Sequence, residues 1–285
     1  MAMPNVPTDQ DVPVSRRRNK MTDPAARVAV GVLVVLAMAS IFVRVISPYG
    51  PTQPSSMILS APSWSHLMGT DQLGRDIFTR ILYGMRVDAV VTVMVLAIAL
   101  AIGFVVGLVT GLGPIWVDEL LMRVTDMFLA FPALILAMAI DASLGPDLMN
   151  AMIAMSIVWW PTYARLVRGQ VLLLKQQDFV ESAVALGASP AYVAIKVIIP
   201  NIMAAILVQL SMDVGNVILT TASLSFIGLG AQPPTPELGR LVSQGQQYLL
   251  QQWWISVFPG LAIFIIVLCF NLIGDGLRDA WDPRS

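Results

Sequence analysis

Charge is scarce in this sequence, and the scarcity says which solvent the chain lives in. Charged residues make up 12% of its 285 positions against 56% hydrophobic ones, with a mean hydropathy of +0.75. Soluble domains carry about 25% charged residues, so a chain this poor in them is built for lipid. Cysteine is nearly missing. The single Cys269, inside an apolar run, excludes an intramolecular disulfide and reads as a buried, inert thiol. The one histidine, His66, has no second His, no HExxH pattern and no Cys pair, so no metal site is expected. No lysine follows a glycine, since Lys20, Lys175 and Lys196 come after Asn19, Leu174 and Ile195. A phosphate-cradling P-loop needs Gly before its Lys, so this chain cannot bind ATP by that route. A net charge of -1 offers no general attraction to nucleic acid.

What is present is a series of apolar runs. A membrane core of about 30 Å needs about 20 mostly apolar residues per helix, and six segments qualify: 28–46, 89–113, 120–142, 148–164, 201–227 and 253–274. The last opens on Trp253-Trp254, as an interfacial anchor would. With the N-terminus inside, cytoplasmic segments hold Arg16, Arg17, Arg18, Lys20, Arg27, Arg123, Arg165, Arg168, Lys175, Lys196, Arg278 and Arg284. Outside fall Arg44, Arg75, Arg80, Arg86 and Arg240. The expectation is therefore an all-α integral membrane protein with six spans, N-in and C-in, preceded by a cytoplasmic tail over 1–27. The basic opening before the first run could pass for a secretory signal. The run is span-length, however, and ends in RVISPYGP without a small-x-small cleavage pattern, so a retained first helix is expected.

Between spans four and five stands a stretch too polar to cross a bilayer, DFVESAVALGASPAYVAIKVIIPN, 178–201. Asp178 can cap a helix with Glu181 three residues on, Gly187 can end it in the left-handed conformation, and Ser189-Pro190 can start a second. Ser182, Ala183 and Ala185 on the first helix and Ala191 and Ala194 on the second would let another surface come close. The alternative is an amphipathic connector lying in the headgroup layer. The same residues carry a resemblance. Glu181-Ser182-Ala183, Gly187 six positions after the Glu, and Ile198-Ile199-Pro200-Asn201 resemble the cytoplasmic EAA loop of ABC importer permeases, with Ser182 where that family usually has Ala. HLMGTDQLGRDIFTRILYGMR (66–86), SFIGLGAQPPTPELGRLV (225–242) and FNLIGDGLRDAWDPR (270–284) resemble the dipeptide/oligopeptide/nickel branch.

The resemblance covers about residues 28–284, in order, as one transmembrane domain. It implies the type I importer permease fold, bacterial inner-membrane location, and the role of the second, C-type permease of the pair. It further implies a coupling loop over 178–200, whose ATPase-facing residues are Glu181, Ser182, Ala183, Gly187, Ala188 and Pro200. The implied partners are a second, homologous permease, two ATP-binding subunits that hold ATP and Mg, an extracytoplasmic binding protein and membrane lipid. The chain itself would hold no cofactor, catalyse nothing and move dipeptides, oligopeptides or related solutes. A homodimer is the alternative pairing.

Other residues have local readings. In 66–86, Thr70 or Asp71 can cap an interfacial helix on which Leu73, Ile77, Ile81 and Met85 recur. AQPPTPELG reads as a rigid exposed loop at the outer mouth, and Gly274-Asp275-Gly276 as the stop of the sixth span. Arg123 and Asp126 are spaced for a local pair. Asp213 is costly in lipid and must face protein or water. It is either a structural hydrogen-bonding group near Asn216 or, with Asn216, part of the substrate pathway. An ion-coupled secondary transporter is the alternative function, although the sequence lacks the two matching halves it should show. An intramembrane hydrolase would need a Ser-His, paired-Asp or zinc constellation, which the spans do not contain.

Overall fold

The computed structural model describes residues 24–281, so Arg16, Arg17, Arg18, Lys20, Arg284 and most of the tail over 1–27 lie outside the described residues. The long elements among the described residues are all helices: α1 Pro24–Ile41, α2 Val43–Ile46, α3 Ile77–Leu112, α4 Ile115–Leu129, α5 Ala133–Leu144, α6 Leu148–Lys175, α7 Asp178–Ala185, α8 Pro190–Tyr192, α9 Ile199–Ile227, α10 Leu238–Gly245 and α11 Trp254–Trp281. Among the described residues four helical stretches are long and apolar enough to cross a membrane: Pro24–Ile41, Ile77–Leu112, Pro190–Ile227 and Trp254–Asp279. The expected third span is a broken pair, α4 and α5, meeting at 88°. Pro132 causes the break, because it has no N–H to donate and pushes Phe131 out of the helical region. The expected fourth span is α6, 28 residues long but interrupted by Pro161 and less apolar than those four. Protein covers it on several sides, so lipid does not set its composition.

The central contact is α3 on α6. Gly103, Gly107 and Gly111 lie four residues apart and present bare backbone to Tyr163, Ala164, Val167 and Val171. A Cβ built at Gly103 would stand 2.6 Å from the Trp160 carbonyl oxygen, and one at Gly107 2.7 Å from that of Ala164. No real side chain fits there. At 36 residues α3 is about 54 Å long, enough to carry one group of loops at each end of the molecule.

At the first end of α3, residues 47–76 fold over the helix start. Asp76, not Thr70 or Asp71, caps α3, accepting from the Thr79 N–H at 2.8 Å. Its other oxygen meets Nδ1 of His66 at 2.9 Å, and the His66 ring stacks on Tyr49. Asp71 is occupied by its own turn and by Arg75 Nε at 2.7 Å. The interfacial helix expected on this stretch is therefore the first part of α3 itself, with Leu73 outside it, because the nearer cap wins. AQPPTPELG (231–239), expected as a rigid exposed loop, is exposed only at Pro233 and Pro234 and runs buried into α10, which packs on α3, α9 and α11. Glu237 is fully buried and caps α10 through the N–H groups of Gly239 and Arg240, at 2.8 and 2.7 Å. Burial pushes the Glu237 carboxyl above its usual range, against the pull of those two N–H groups. The Leu238 N–H donates to Asp88 of α3.

The sixth span does not stop at Gly274-Asp275-Gly276, since α11 runs through to Trp281. Those glycines serve close packing: a Cβ at Gly274 would lie 2.9 Å from Met212 and one at Gly276 2.9 Å from Ala26. Arg123 is not the partner of Asp126, which takes Arg165 of α6 at 2.5 Å, while Arg168 grips Asp118 with two N–H groups at 2.5 and 2.6 Å. Two helix faces, not one, supply these pairs. Cys269 is buried, as expected of it.

The α3–α6 seam makes a quantitative prediction. Gly107→Ala should lower the unfolding free energy of the chain in bicelles by about 1–3 kcal/mol, the usual cost of overpacking. Gly31→Ala, where a Cβ meets nothing within 4 Å, is the control. Equal stability of the two variants would show that the backbones can part without cost.

Candidate functional site

At the far end of α3 the 178–200 segment builds a small folded object. Its first helix, α7, begins after Gln177, whose side chain makes no capping hydrogen bond, so the capping box expected of Asp178 and Glu181 does not form. Gly187 ends α7 at φ +85. The Gly187 N–H reaches the Val184 carbonyl at 2.9 Å and the Ala188 N–H that of Ala183 at 3.1 Å, the two bonds of a Schellman motif. Two residues on, Ser189 accepts from the Tyr192 N–H at 3.2 Å and Pro190 opens α8, as its fixed φ favours. The second helix is not separate from the fifth span. It passes through a π-helical stretch, Val193–Ile198, into α9, and Pro200 sits where α and π hydrogen bonding change over.

One edge of α7 is anchored. Val180 is buried among Val167 and Val171 of α6 and Val193, Ile198 and Ile202. The rest of α7 and its turn is exposed or half-buried. Glu181, Ser182, Gly187 and Pro200 are exposed, and Ala183 and Ala188 are half-buried. Glu181 makes no side-chain hydrogen bond or ion pair with any described residue. Glu181 and Ala188 share a groove of about 730 Å³ with Lys175, Val184, Ala191 and Ala194, between the end of α3 and the two short helices. Ser182, Ala183, Gly187 and Pro200 do not line it. The reading of the sequence missed the apolar rim: Leu186 is 90% exposed, and Phe179, Val184, Tyr192 and Ile195 are exposed with it. A bulky Leu immediately before the helix-ending Gly was the available signal. Apolar side chains held out on a rigid turn suit a partner protein or the bilayer surface.

The two pathway candidates separate. Asp213 is 4% exposed and accepts from Tyr163 Oη at 2.9 Å, Gln209 Nε2 at 3.0 Å and Asn216 Nδ2 at 3.4 Å. Gln209 and Asn216 belong to α9 itself, so the Tyr163 bond is the one of the three that joins α9 to α6. Asn216 is exposed beyond it. Among the described residues no group of His, Cys, Asp and Glu is arranged to hold a metal.

The described residues thus form a helical bundle with apolar spans, a rigid apolar turn at one end and a folded lobe at the other. The chain belongs to the family of binding-protein-dependent transport system inner membrane components, which matches it over residues 103–285. It is 45% identical over 254 residues to the glutathione transport system permease protein GsiD of Shigella flexneri serotype 5b, covering 88% of this chain and 84% of that one. It is 42% identical over 284 residues to the dipeptide transport system permease protein DppC of Alkalihalophilus pseudofirmus, covering 98% and 93%. A chain of the inward-facing MetNI methionine ABC transporter shares the fold at a TM-score of 0.58 and 18% identity, covering 70% of this chain and 96% of that one. The protein is thus an inner-membrane permease of the C type in the peptide and nickel branch of ABC importers. An ion-coupled secondary transporter is not favoured.

The role of Asp213 is open to a double-mutant cycle. Tyr163→Phe and Asp213→Asn should each cost about 1–3 kcal/mol of unfolding free energy, and the double variant clearly less than their sum. Additive losses would mean that the bond between α6 and α9 contributes nothing.

Proposed function

We propose that this chain is half of the translocation pathway of an ATP-driven importer of short peptides, dipeptides or glutathione-like, and that it takes its energy from a separate ATP-binding subunit at residues 178–200. The observation that carries this is the Schellman turn at Gly187, which holds an unpaired Glu181 and an exposed apolar rim where a partner can seat. Glu181, Ser182, Ala183, Gly187, Ala188 and Pro200 form or frame that contact. A second, homologous permease completes the pathway, two ATP-binding subunits bind ATP and Mg, and an extracytoplasmic protein delivers the cargo. The cargo class follows from the glutathione and dipeptide permeases to which the chain is similar.

Force would pass through the packing already described. A push on α7 reaches α6 through Val180, Val167 and Val171, and α9 through Ile198 and Ile202. Because Pro190–Ile227 is one continuous stretch, moving its first turn tilts the whole span. The other end of α9 presses Ala222 onto Gly239 of α10, where a Cβ would lie 2.3 Å from the Ala222 Cα. A displacement at the loop is therefore delivered to the lobe about 50 Å away.

Two outcomes test this. Gly187→Asp forces a side chain into the left-handed region, at about 1 kcal/mol or more, and adds charge to the rim. It should leave insertion and permease pairing intact while the ATP-binding subunit is lost on purification and substrate-stimulated ATP hydrolysis falls sharply, with Glu181→Ala milder in the same direction. If both variants retain their ATPase and transport like a Gln176→Ala control, the loop is only a membrane-surface connector. Orientation is checked by single-cysteine labelling in intact cells, with buried Cys269 giving little background. Cysteines at positions 54 and 234 should react from outside and one at 175 should not, and outside reactivity at 175 would invert the topology.

A further inference from the structure

Where α10 begins, two acids meet with no cation between them. Asp88, one residue before the apolar run 89–113, and Glu237 are 3% and 0% exposed, and their carboxyls lie within hydrogen-bonding reach of each other. Asp88 Oδ2 accepts from the Leu238 N–H at 3.4 Å, while its Oδ1 is buried with no partner. Glu237 is better served. Its two oxygens take the Gly239 and Arg240 N–H groups, and the Ser225 hydroxyl of α9 is within reach of it. One turn before Asp88, the bare backbone of Gly84 lets the same segment in, since an added Cβ would stand 3.2 Å from Leu238 Cδ2.

Neither acid forms an ion pair with a described residue. On α3, Arg80 is held by Asp71 and Gln244, and Arg86 by the Ser40 and Ile41 carbonyls. In the 47–76 segment His66 pairs with Asp76 and Arg75 with Asp71. Arg240 of α10 points its guanidinium at Gly228, where an added Cβ would stand 4.0 Å from Nη1. The ionisable side chain of α9, Asp213, lies about three turns from Ser225. On α11 nothing ionisable comes before Cys269, in the far half of that helix.

Two carboxylates sealed together without a counter-ion repel each other and lose their hydration, so such a pair keeps one proton between them. Glu237, with two backbone donors, is suited to carry the charge. A proton on Asp88 turns its unbonded Oδ1 into a donor. We propose that this shared proton is a latch: with it Asp88 bonds Glu237 and closes the start of α10 on α3, and without it two adjacent charges push the segment away. Gly239 also rests on Ala222 of α9, so releasing the latch loosens the end of α9 from α3 as well.

Burial raises the Glu237 carboxyl above its usual range even against its two N–H donors. Docking therefore takes up a proton that separated, hydrated carboxyls would release near about pH 4. The docked arrangement is most stable in acid and weakens as pH rises above that ordinary range, until the docked pair itself is deprotonated.

Hydrogen exchange read by mass spectrometry on the full chain in nanodiscs tests this. Between about pH 5 and pH 8, corrected for the intrinsic exchange rate, opening of peptides spanning 237–241 should increase by up to about tenfold per pH unit, the slope of one proton. Peptides of α6 around Val167 should show no such slope. Asp88→Asn keeps a permanent N–H donor for Glu237 and an acceptor for Leu238, so it should hold the segment closed and flatten the slope. The infrared difference between the unaltered chain and Asp88→Asn should contain one protonated-carboxyl C=O band at neutral pH. In the unaltered chain that band should fade over the pH range in which the segment opens. A segment that opens without a pH slope, a slope shared by α6, a slope that survives Asp88→Asn, or a difference spectrum without the band each overturns the latch.

Discussion

Three bare positions, Gly103, Gly107 and Gly111, let the backbone of α3 lie against α6, and the other contacts are arranged around that approach. Hydrophobicity cannot hold two helices together in lipid, where the surrounding tails are as apolar as the side chains. Close van der Waals packing of small residues does so instead. Once α6 is held there, it becomes the hub. It takes α4 through Arg165 and Arg168, α9 through Tyr163 and Asp213, and α7 through Val167 and Val171. These bonds differ in worth. The Arg165–Asp126 pair is more than half exposed on both sides and so contributes little, whereas the bond of Tyr163 to Asp213 is buried and leaves an unpaired acid if broken.

The two ends of the bundle are built on opposite principles. At one end side chains are tied to one another and to backbone: Asp76 with Thr79 and His66, Asp71 with Arg75, Glu237 with its own helix. Atoms of Gln72, Arg80, Asp88, Arg240 and Trp254 remain buried there without a hydrogen-bond partner. At the other end only backbone is satisfied, by the Schellman turn and the Ser189 cap, while the side chains are turned outward. A rigid turn with exposed Leu186, Phe179 and Tyr192 costs little to bind, since its backbone is ordered beforehand. Between the ends run α3 and the continuous Pro190–Ile227 helix, stiff enough to transmit movement.

What the sequence by itself determined was everything set by local or compositional physics. Apolar runs marked the chain as a helical membrane protein, because no other backbone satisfies its own hydrogen bonds in lipid. Gly187 and Ser189-Pro190 marked the turn, because φ above zero and a proline at the first helical position are decided within a few residues. Gly103, Gly107 and Gly111 were not read as a packing motif, although their spacing of four was the available signal, and their partner was not legible at all. What only the tertiary structure decided was which residues meet across long separations: Asp126 with Arg165 rather than Arg123, Asp213 with Tyr163, Leu238 with Asp88. It also decided where helices end. Asp76 outcompeted Thr70 and Asp71 as a cap, and Gly274 and Gly276 stayed helical because neighbouring helices press on them. Spacing along the chain constrains partners only within one or two turns. Beyond that a charge goes to whichever face the packing of backbones brings near, and that depends on the whole bundle at once.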